Sequence, residues 1–467
     1  MTTVVASPVL SAGGDARPKT APAPWPGSEW WRPRPLPGGD HRPPSSEPRE
    51  AVATRDGRAP FVGLLIFILI LLLAPQAWFP FLAPFRLALL AAGLAVAAHV
   101  LERFLAGRPL TIVTREIVLA ACLGGWAVLT VPMSYWPGGS MAFLLGLFLK
   151  SLIIFWLVAN LVSTQARLRA VALAFVIASV PLAATAIVHF VSGDIAAGGG
   201  YRDVRRIVGY DAPLTQNPND LALTLNLLLP FSVARLVRSR NILPRTMLAA
   251  VIVLVVAAIV LTFSRAGFLT LAMTLVFYLL QLYKSERRGW AVAVVLLALL
   301  ALPLLPGSYL GHMETITDIH SDASGSAQAR WAGMVAATKL ALAHPLIGAG
   351  AGMNLLALNE AQGPSWKEVH NVYLEYAVDL GLPGLLLFVA LYWSSYSKVR
   401  KARRVAAGTP GLEDLLHYGG AVQASLIAFA LAGMFHPVGY HFYFYILAGL
   451  AVALGTIRSA EACPVTH

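Results

Sequence analysis

Charge is what this sequence has least of. Asp, Glu, Lys and Arg make up 12% of its 467 residues, against about 25% in soluble domains, which excludes a water-soluble globular protein. Cysteine is nearly absent: Cys122 and Cys463 can build neither a disulfide framework nor a thiolate metal site. Acidic residues are scarcer than basic ones, 23 against 35. In a soluble chain that balance would suggest nucleic acid. In an apolar chain Lys and Arg report topology first, because they gather in cytoplasmic loops, and no nucleic-acid partner is expected. What the sequence has in excess is apolar residues, 57% of the total. They cluster in blocks of roughly 18 to 25, the length of a helix that crosses a lipid bilayer. The chain reads as an all-α polytopic membrane protein.

Residues 1–58 stand apart. They hold 11 of the 31 prolines and no apolar run, so they read as a disordered cytoplasmic tail with no signal peptide. From Phe61 onward twelve spans are expected, at 61–82, 84–102, 116–133, 142–163, 169–192, 218–236, 246–264, 266–284, 289–306, 370–394, 417–436 and 440–457. Residues 59–458 then form one transmembrane domain, and 459–467 a short cytoplasmic tail. If the first span leaves the cytoplasm, the exits that return there carry 18 basic residues and the outer exits seven. This asymmetry predicts both termini inside. The one long outer excursion, residues 307–369, is expected to carry a surface helix at 327–343, apolar along Ala327, Trp331, Val335 and Leu340.

The outer basic residues run against the positive-inside bias and call for a local explanation. Arg265 stands between two apolar spans with almost no loop; Arg206 follows Arg205; Arg330 precedes Trp331. A guanidinium offers a permanently charged fork of donors that matches phosphate oxygens, whereas the bland reading is snorkelling to head groups or pairing with Asp203 and Asp211. His370 enters the tenth span at its outer end. A neutral imidazole there can take a proton from a hydroxyl, since its ordinary pKa lies near ambient pH; the bland alternative is an interfacial histidine. Gly381 and Gly384, three residues apart, would let a neighbouring helix pack closely. Asn217, Asn219 and Asp220 open the sixth span, by default as caps, with Asn219 also a candidate substrate contact, as is Asn371.

Other clusters read more simply. His312, Glu314, Asp318, His320 and Asp322 fit no zinc spacing, and no metal is expected there. The glycines of Gly348-Ala349-Gly350-Ala351-Gly352 follow no strand and read as a turn rather than a nucleotide loop. His436 and His441 beside Tyr440, Phe442 and Tyr443 read as an aromatic interfacial belt. Lys150, an intramembrane charge, is expected to pair within the bundle.

Taken together, these residues resemble the O-antigen ligase / O-antigen polymerase superfamily of bacterial polysaccharide assembly. His370, Asn371, Gly381 and Gly384 satisfy its pattern His-[Asn/Ser/Gln]-X9-Gly-X-X-Gly without a gap. Asn217-Pro218-Asn219, Ser264-Arg265, and Arg330-Trp331 followed by His344-Pro345-Leu346-Ile347-Gly348-Ala349-Gly350 stand in the family's order. The likeness spans about Phe61 to Arg458. It implies a GT-C-type glycosyltransferase at the periplasmic face of the inner membrane, without metal or cofactor. The donor would be a glycan on undecaprenyl diphosphate, and the acceptor a hydroxyl of lipid A–core, of another glycan or of a protein. The resemblance gives His370 the role of activating that hydroxyl. It gives Arg265 and Arg206, with Arg330 as a further match, the role of holding the diphosphate. One plausible base and no obvious covalent nucleophile predict a single displacement with inversion. A twelve-helix transporter is the rival class, but Glu102-Arg103-Phe104-Leu105-Ala106-Gly107-Arg108 does not fit the loop signature such carriers show after their second span.

Overall fold

The protein is described by a computed structural model, which covers residues 57–192, 217–284, 326–363 and 368–461, with a few helical positions between 288 and 296. Among the described residues there is no strand, and ten helices are long and apolar enough to cross a membrane. The helices are α1 (Arg58–Leu73), α2 (Leu87–Leu105), α3 (Arg115–Thr130), α4 (Pro137–Leu161), α5 (Gln165–Ser192), α6 (Pro218–Arg238), α7 (Ile242–Leu261), α8 (Arg265–Tyr283), α9 (Ser326–Ala343), α10 (Asn354–Gln362), α11 (Val372–Ala406), α12 (Glu413–Ala432) and α13 (Phe442–Glu461). The expected span 289–306 lies almost wholly outside the described residues, as do the N-terminal tail and the far C-terminus.

The caps explain where several helices start. Asn217 Oδ1 accepts from the amides of Asn219 and Asp220, both at 2.9 Å, with Pro218 at the first helical position, so the default capping reading of this segment holds. Ser264 caps α8 through the Gly267 amide at 3.1 Å. Asn371 caps α11 through Tyr373 and Leu374 at 3.0 and 3.1 Å. Elsewhere the boundaries move. The first expected span, 61–82, stops at Leu73, because Pro75, Pro80 and Pro84 cannot continue an α-helix. Ala74 turns left-handed (φ 41°) and two short helical turns, Pro75–Trp78 and Pro80–Phe85, follow. The tenth expected span runs on to Ala406, 35 residues in all.

Helices α6, α12 and α13 are the most enclosed, and α2, α7 and α8 face outward. The centre is aromatic: Tyr376 stacks on Phe388 at 4.4 Å between centroids, Tyr440 lies 4.7 Å from Tyr376, and Phe148 packs edge-on to both Tyr440 and Tyr445. The Tyr376 hydroxyl donates to Gly439 O at 2.7 Å, so the buried phenol is satisfied. Lys150 is exposed on the outside of α4, and among the described residues it forms no ion pair.

The glycine pair of the histidine motif does something other than admit a neighbouring helix. Gly381 has φ 67° and ψ −173°, a conformation open essentially to glycine alone, and it breaks α11 into segments 372–380 and 382–406. The carbonyls this break releases are all taken up: Val378 O by the Ala349 amide at 2.7 Å, Asp379 O by the Gly350 amide at 2.8 Å, and Leu380 O by the Trp126 indole at 2.9 Å. Leu382 N in turn donates to Pro345 O at 2.7 Å. A Cβ at Gly381 would stand 2.5 Å from Leu346 O, and one at Gly384 would strike the side chain of Leu380, its own helix neighbour, at 2.2 Å. Gly381→Ala therefore combines backbone strain of about 1–3 kcal/mol with displacement of the 345–350 loop. We expect it to lower unfolding stability by about 2–4 kcal/mol, read as denaturant or thermal unfolding in detergent; an unchanged midpoint would contradict this account.

Candidate active site

Asn219, Ser264, Asn371 and His436 meet at one end of the bundle, where α6, α8 and α11 begin. Ser264 Oγ, while capping α8, donates to Asn219 Oδ1 at 2.8 Å, which joins the starts of α6 and α8. The turn between α12 and α13 joins both to α11: Val372 N donates to Gly433 O at 2.7 Å, Asn371 Nδ2 to Met434 O at 3.4 Å, and His436 Nε2 faces Asn219 O at 3.3 Å. Three helix N-termini, each the positive end of its dipole, thus meet around His436. Such a place favours anions.

Arg265 is the first residue of α8 and half-buried. It follows Phe263, whose left-handed backbone (φ 51°) is unusual for a bulky residue and makes the tight reversal between α7 and α8. A cation at a helix N-terminus is opposed by the dipole, so capping does not explain it. His370 lies just before the Asn371 cap, and its Nδ1 is 2.8 Å from Glu368 O. A carbonyl only accepts, so Nδ1 carries the hydrogen and the neutral ring keeps its basic lone pair on Nε2. Arg330 sits on α9, close enough, like His370, for its charge to act on His436. The structure therefore gathers Arg265, Arg330, His370, Asn371 and Asn219 at one end. Asn219 and Asn371 bind backbone and Ser264 there. Arg206, like Arg202 and Arg205, lies outside the described residues, as does the His312–Asp322 cluster.

Several expectations change. His436 is not part of an interfacial belt: it is 3% exposed and Tyr440 is fully buried, because the α12–α13 turn folds inward onto Phe143, Phe148 and Tyr376. His436 Nδ1 lies 2.8 Å from Ala432 O, so both ring nitrogens face carbonyls, which favours a cation. Burial and the neighbouring Arg330 and His370 charges outweigh that and push its pKa down to about 4. The neutral ring then gives its one proton to Ala432 O, and Nε2, 3.3 Å from Asn219 O, makes no hydrogen bond to it. The sequence missed this residue, since nothing local separates a buried turn from an aromatic belt.

A pH dependence follows from His436. Its pKa is lower in the folded protein than the ordinary 6.5, so below that value the unfolded chain binds the proton more readily. Stability from this site is complete above pH 6.5 and is lost as the pH falls towards 4. Carboxylates titrate over the same range, so the informative quantity is a difference. The unfolding temperature should fall further between pH 6.5 and 4.5 in the wild type than in His436→Asn, and equal falls would refute it.

A helix, α9, stands where the surface helix was expected, and its buried residues are Ala337 and Ala341. Alanines allow it to approach Ala377 and Val378 of α11. Trp331 is left 59% exposed and with Val335, Lys339 and Leu340 lines an open groove of about 630 Å³. The glycine stretch is a turn, as expected: Gly348, Gly350 and Gly352 have φ of 73°, 102° and 72°. At the opposite end of the bundle Arg169 and Arg238 both meet Asp414, at 3.3 and 2.9 Å, and Arg167 donates to Gly57 O at 3.0 Å.

Fold and site define a multi-pass helical membrane protein with a histidine–arginine site at one end of its bundle. Residues 225–389, about a third of the chain, match the family model described as O-antigen ligase, and in this region the chain is similar to that family. That stretch holds Arg265, Arg330, His370, Asn371, Gly381 and Gly384. Residues 51–217 match a family of unknown function, DUF5935, and Asn219 falls between the two regions. No curated protein matches the chain.

Proposed function

We propose that this protein transfers a glycan from undecaprenyl diphosphate to an acceptor hydroxyl at the periplasmic face of the inner membrane, as a ligase of lipopolysaccharide or surface polysaccharide synthesis. The observation that carries the reading is the convergence of the His370 ring, its Nδ1 tied to Glu368 O, with Arg330 and Arg265 where three helices begin. The acceptor oxygen attacks the anomeric carbon, and its proton passes to His370 Nε2. The bond from that carbon to the diphosphate oxygen breaks, and the arginines stabilise the leaving charge. One displacement inverts the anomeric centre, and the charge is met by guanidinium groups without a metal. The groove along Trp331, Val335 and Leu340, which Lys339 also lines, offers apolar surface to a lipid tail. The arginine-rich end of the bundle, where Arg167, Arg169 and Arg238 lie, suits the cytoplasmic side, which leaves His370 outside and both termini inside.

The test combines purified protein, an undecaprenyl-diphosphate glycan and EDTA, with lipid A–core in one tube and no added acceptor in the other. Glycan moving as one block onto lipid A–core is the expected result. A ladder of longer lipid-linked glycans without acceptor would make the protein a polymerase of the same superfamily. Product with the donor's own anomeric configuration would overturn the single displacement.

A further inference from the structure

We propose that Asn354 is a positioning residue for His370, held in turn by Asp379; the inference rests on the transfer reaction proposed above. Asp379 is fully buried and Asn354 is 6% exposed. The Asp379 carboxylate accepts three hydrogens: from Asn354 N at 2.7 Å, Asn354 Nδ2 at 3.2 Å and Gly352 N at 3.0 Å. The other end of the same carboxamide, Asn354 Oδ1, accepts from Val369 N at 3.2 Å. Val369 is buried, its carbonyl accepts from Asn371 N at 2.8 Å, and His370 lies between those two residues. Asn354 therefore bridges a fixed carboxylate on the first half of α11 and the turn that presents His370.

That turn also carries Glu368, whose carbonyl sets the His370 tautomer. Truncating Asn354 leaves the buried Val369 amide without its acceptor and releases the turn from α10 and α11. The Glu368 carbonyl then no longer holds Nδ1, and Nε2 is no longer the fixed basic nitrogen. Small displacements of a reacting group cost about a hundredfold in rate. The ordinary alternative is a staple that supports the fold without bearing on the ring. The Trp126 indole, bonded to Leu380 O at 2.9 Å, is such a staple on the same helix break.

The test measures kcat, donor KM and the ¹⁵N shifts of the His370 ring, assigned by comparison with His370→Gln, in full-length protein. Asn354→Ala should lower kcat about a hundredfold with donor KM within about threefold, and convert the Nδ1–H ring into a mixture of tautomers. Trp126→Phe should lower thermal stability and leave both readouts alone. Should Asn354→Ala fail to fold, Asn354→Asp keeps an acceptor for Val369 and opposes a carboxylate to Asp379, and is judged by the same readouts. Wild-type kcat and a wild-type tautomer in the folded variant would overturn the proposal. The tautomer requires no turnover, so a wild type silent with every hydroxyl acceptor would count against the transferase and leave this inference to the spectrum.

Discussion

His370→Ala should reduce glycan transfer by about 10²–10⁴-fold, the usual contribution of a positioned general base, and leave the folded protein in place. The ring is half-buried, and the start of α11 is held by other groups: the Asn371 cap and the Val372 bond to Gly433. Activity and stability should therefore separate. His370→Gln is a sharper form of the same test, because it retains a polar side chain without an imidazole's basicity. The acid limb of the rate against pH should disappear from the residual activity of both variants, since the group that must be deprotonated is gone. A correctly folded His370→Ala protein within tenfold of wild-type turnover would remove His370 from the chemistry.

The parts of this protein that were legible in the sequence are those set by local chemistry. Apolar blocks of membrane-crossing length became helices, and Asn217 became a cap, because both outcomes depend on near neighbours in the chain. His370, Arg265 and Arg330 stood out because charge or a titratable ring at the end of an apolar span carries a cost that needs a reason. What stayed hidden depends on contacts between distant segments. Gly381 looked like a packing surface because spacing alone cannot distinguish a helical glycine from one that breaks the helix; the partners of the break lie at residues 345–350. Asn354 and Asp379 are 25 residues apart and neither resembles a motif. His436 became part of the site only when the α12–α13 turn folded inward. Trp331 belongs to the apolar stripe of the expected surface helix and is left exposed, and it is the alanines of α9 that allow close approach to α11, which an apolar count does not single out.

Arg265→Ala should lower donor kcat/KM by about 10²–10³-fold, comparable to the loss of one preorganised donor from an anion-stabilising site. Three features point the side chain's purpose away from structure. It sits at the positive end of α8, where the dipole disfavours a cation by about 0.3–1 kcal/mol. Its helix is already capped by Ser264. The backbone just before it is held left-handed at Phe263, a conformation that costs about 1–2 kcal/mol and fixes where the guanidinium leaves the chain. Removing the cation should thus cripple donor use in protein that still folds. Arg265→Lys separates charge from geometry: an ammonium keeps the charge but loses the planar fork, so it should recover only part of the loss. If Lys restored full activity, a point charge would suffice and bidentate diphosphate binding would be wrong. If Ala itself turned over normally, the leaving group would be stabilised elsewhere, and Arg330 would be the next residue to substitute.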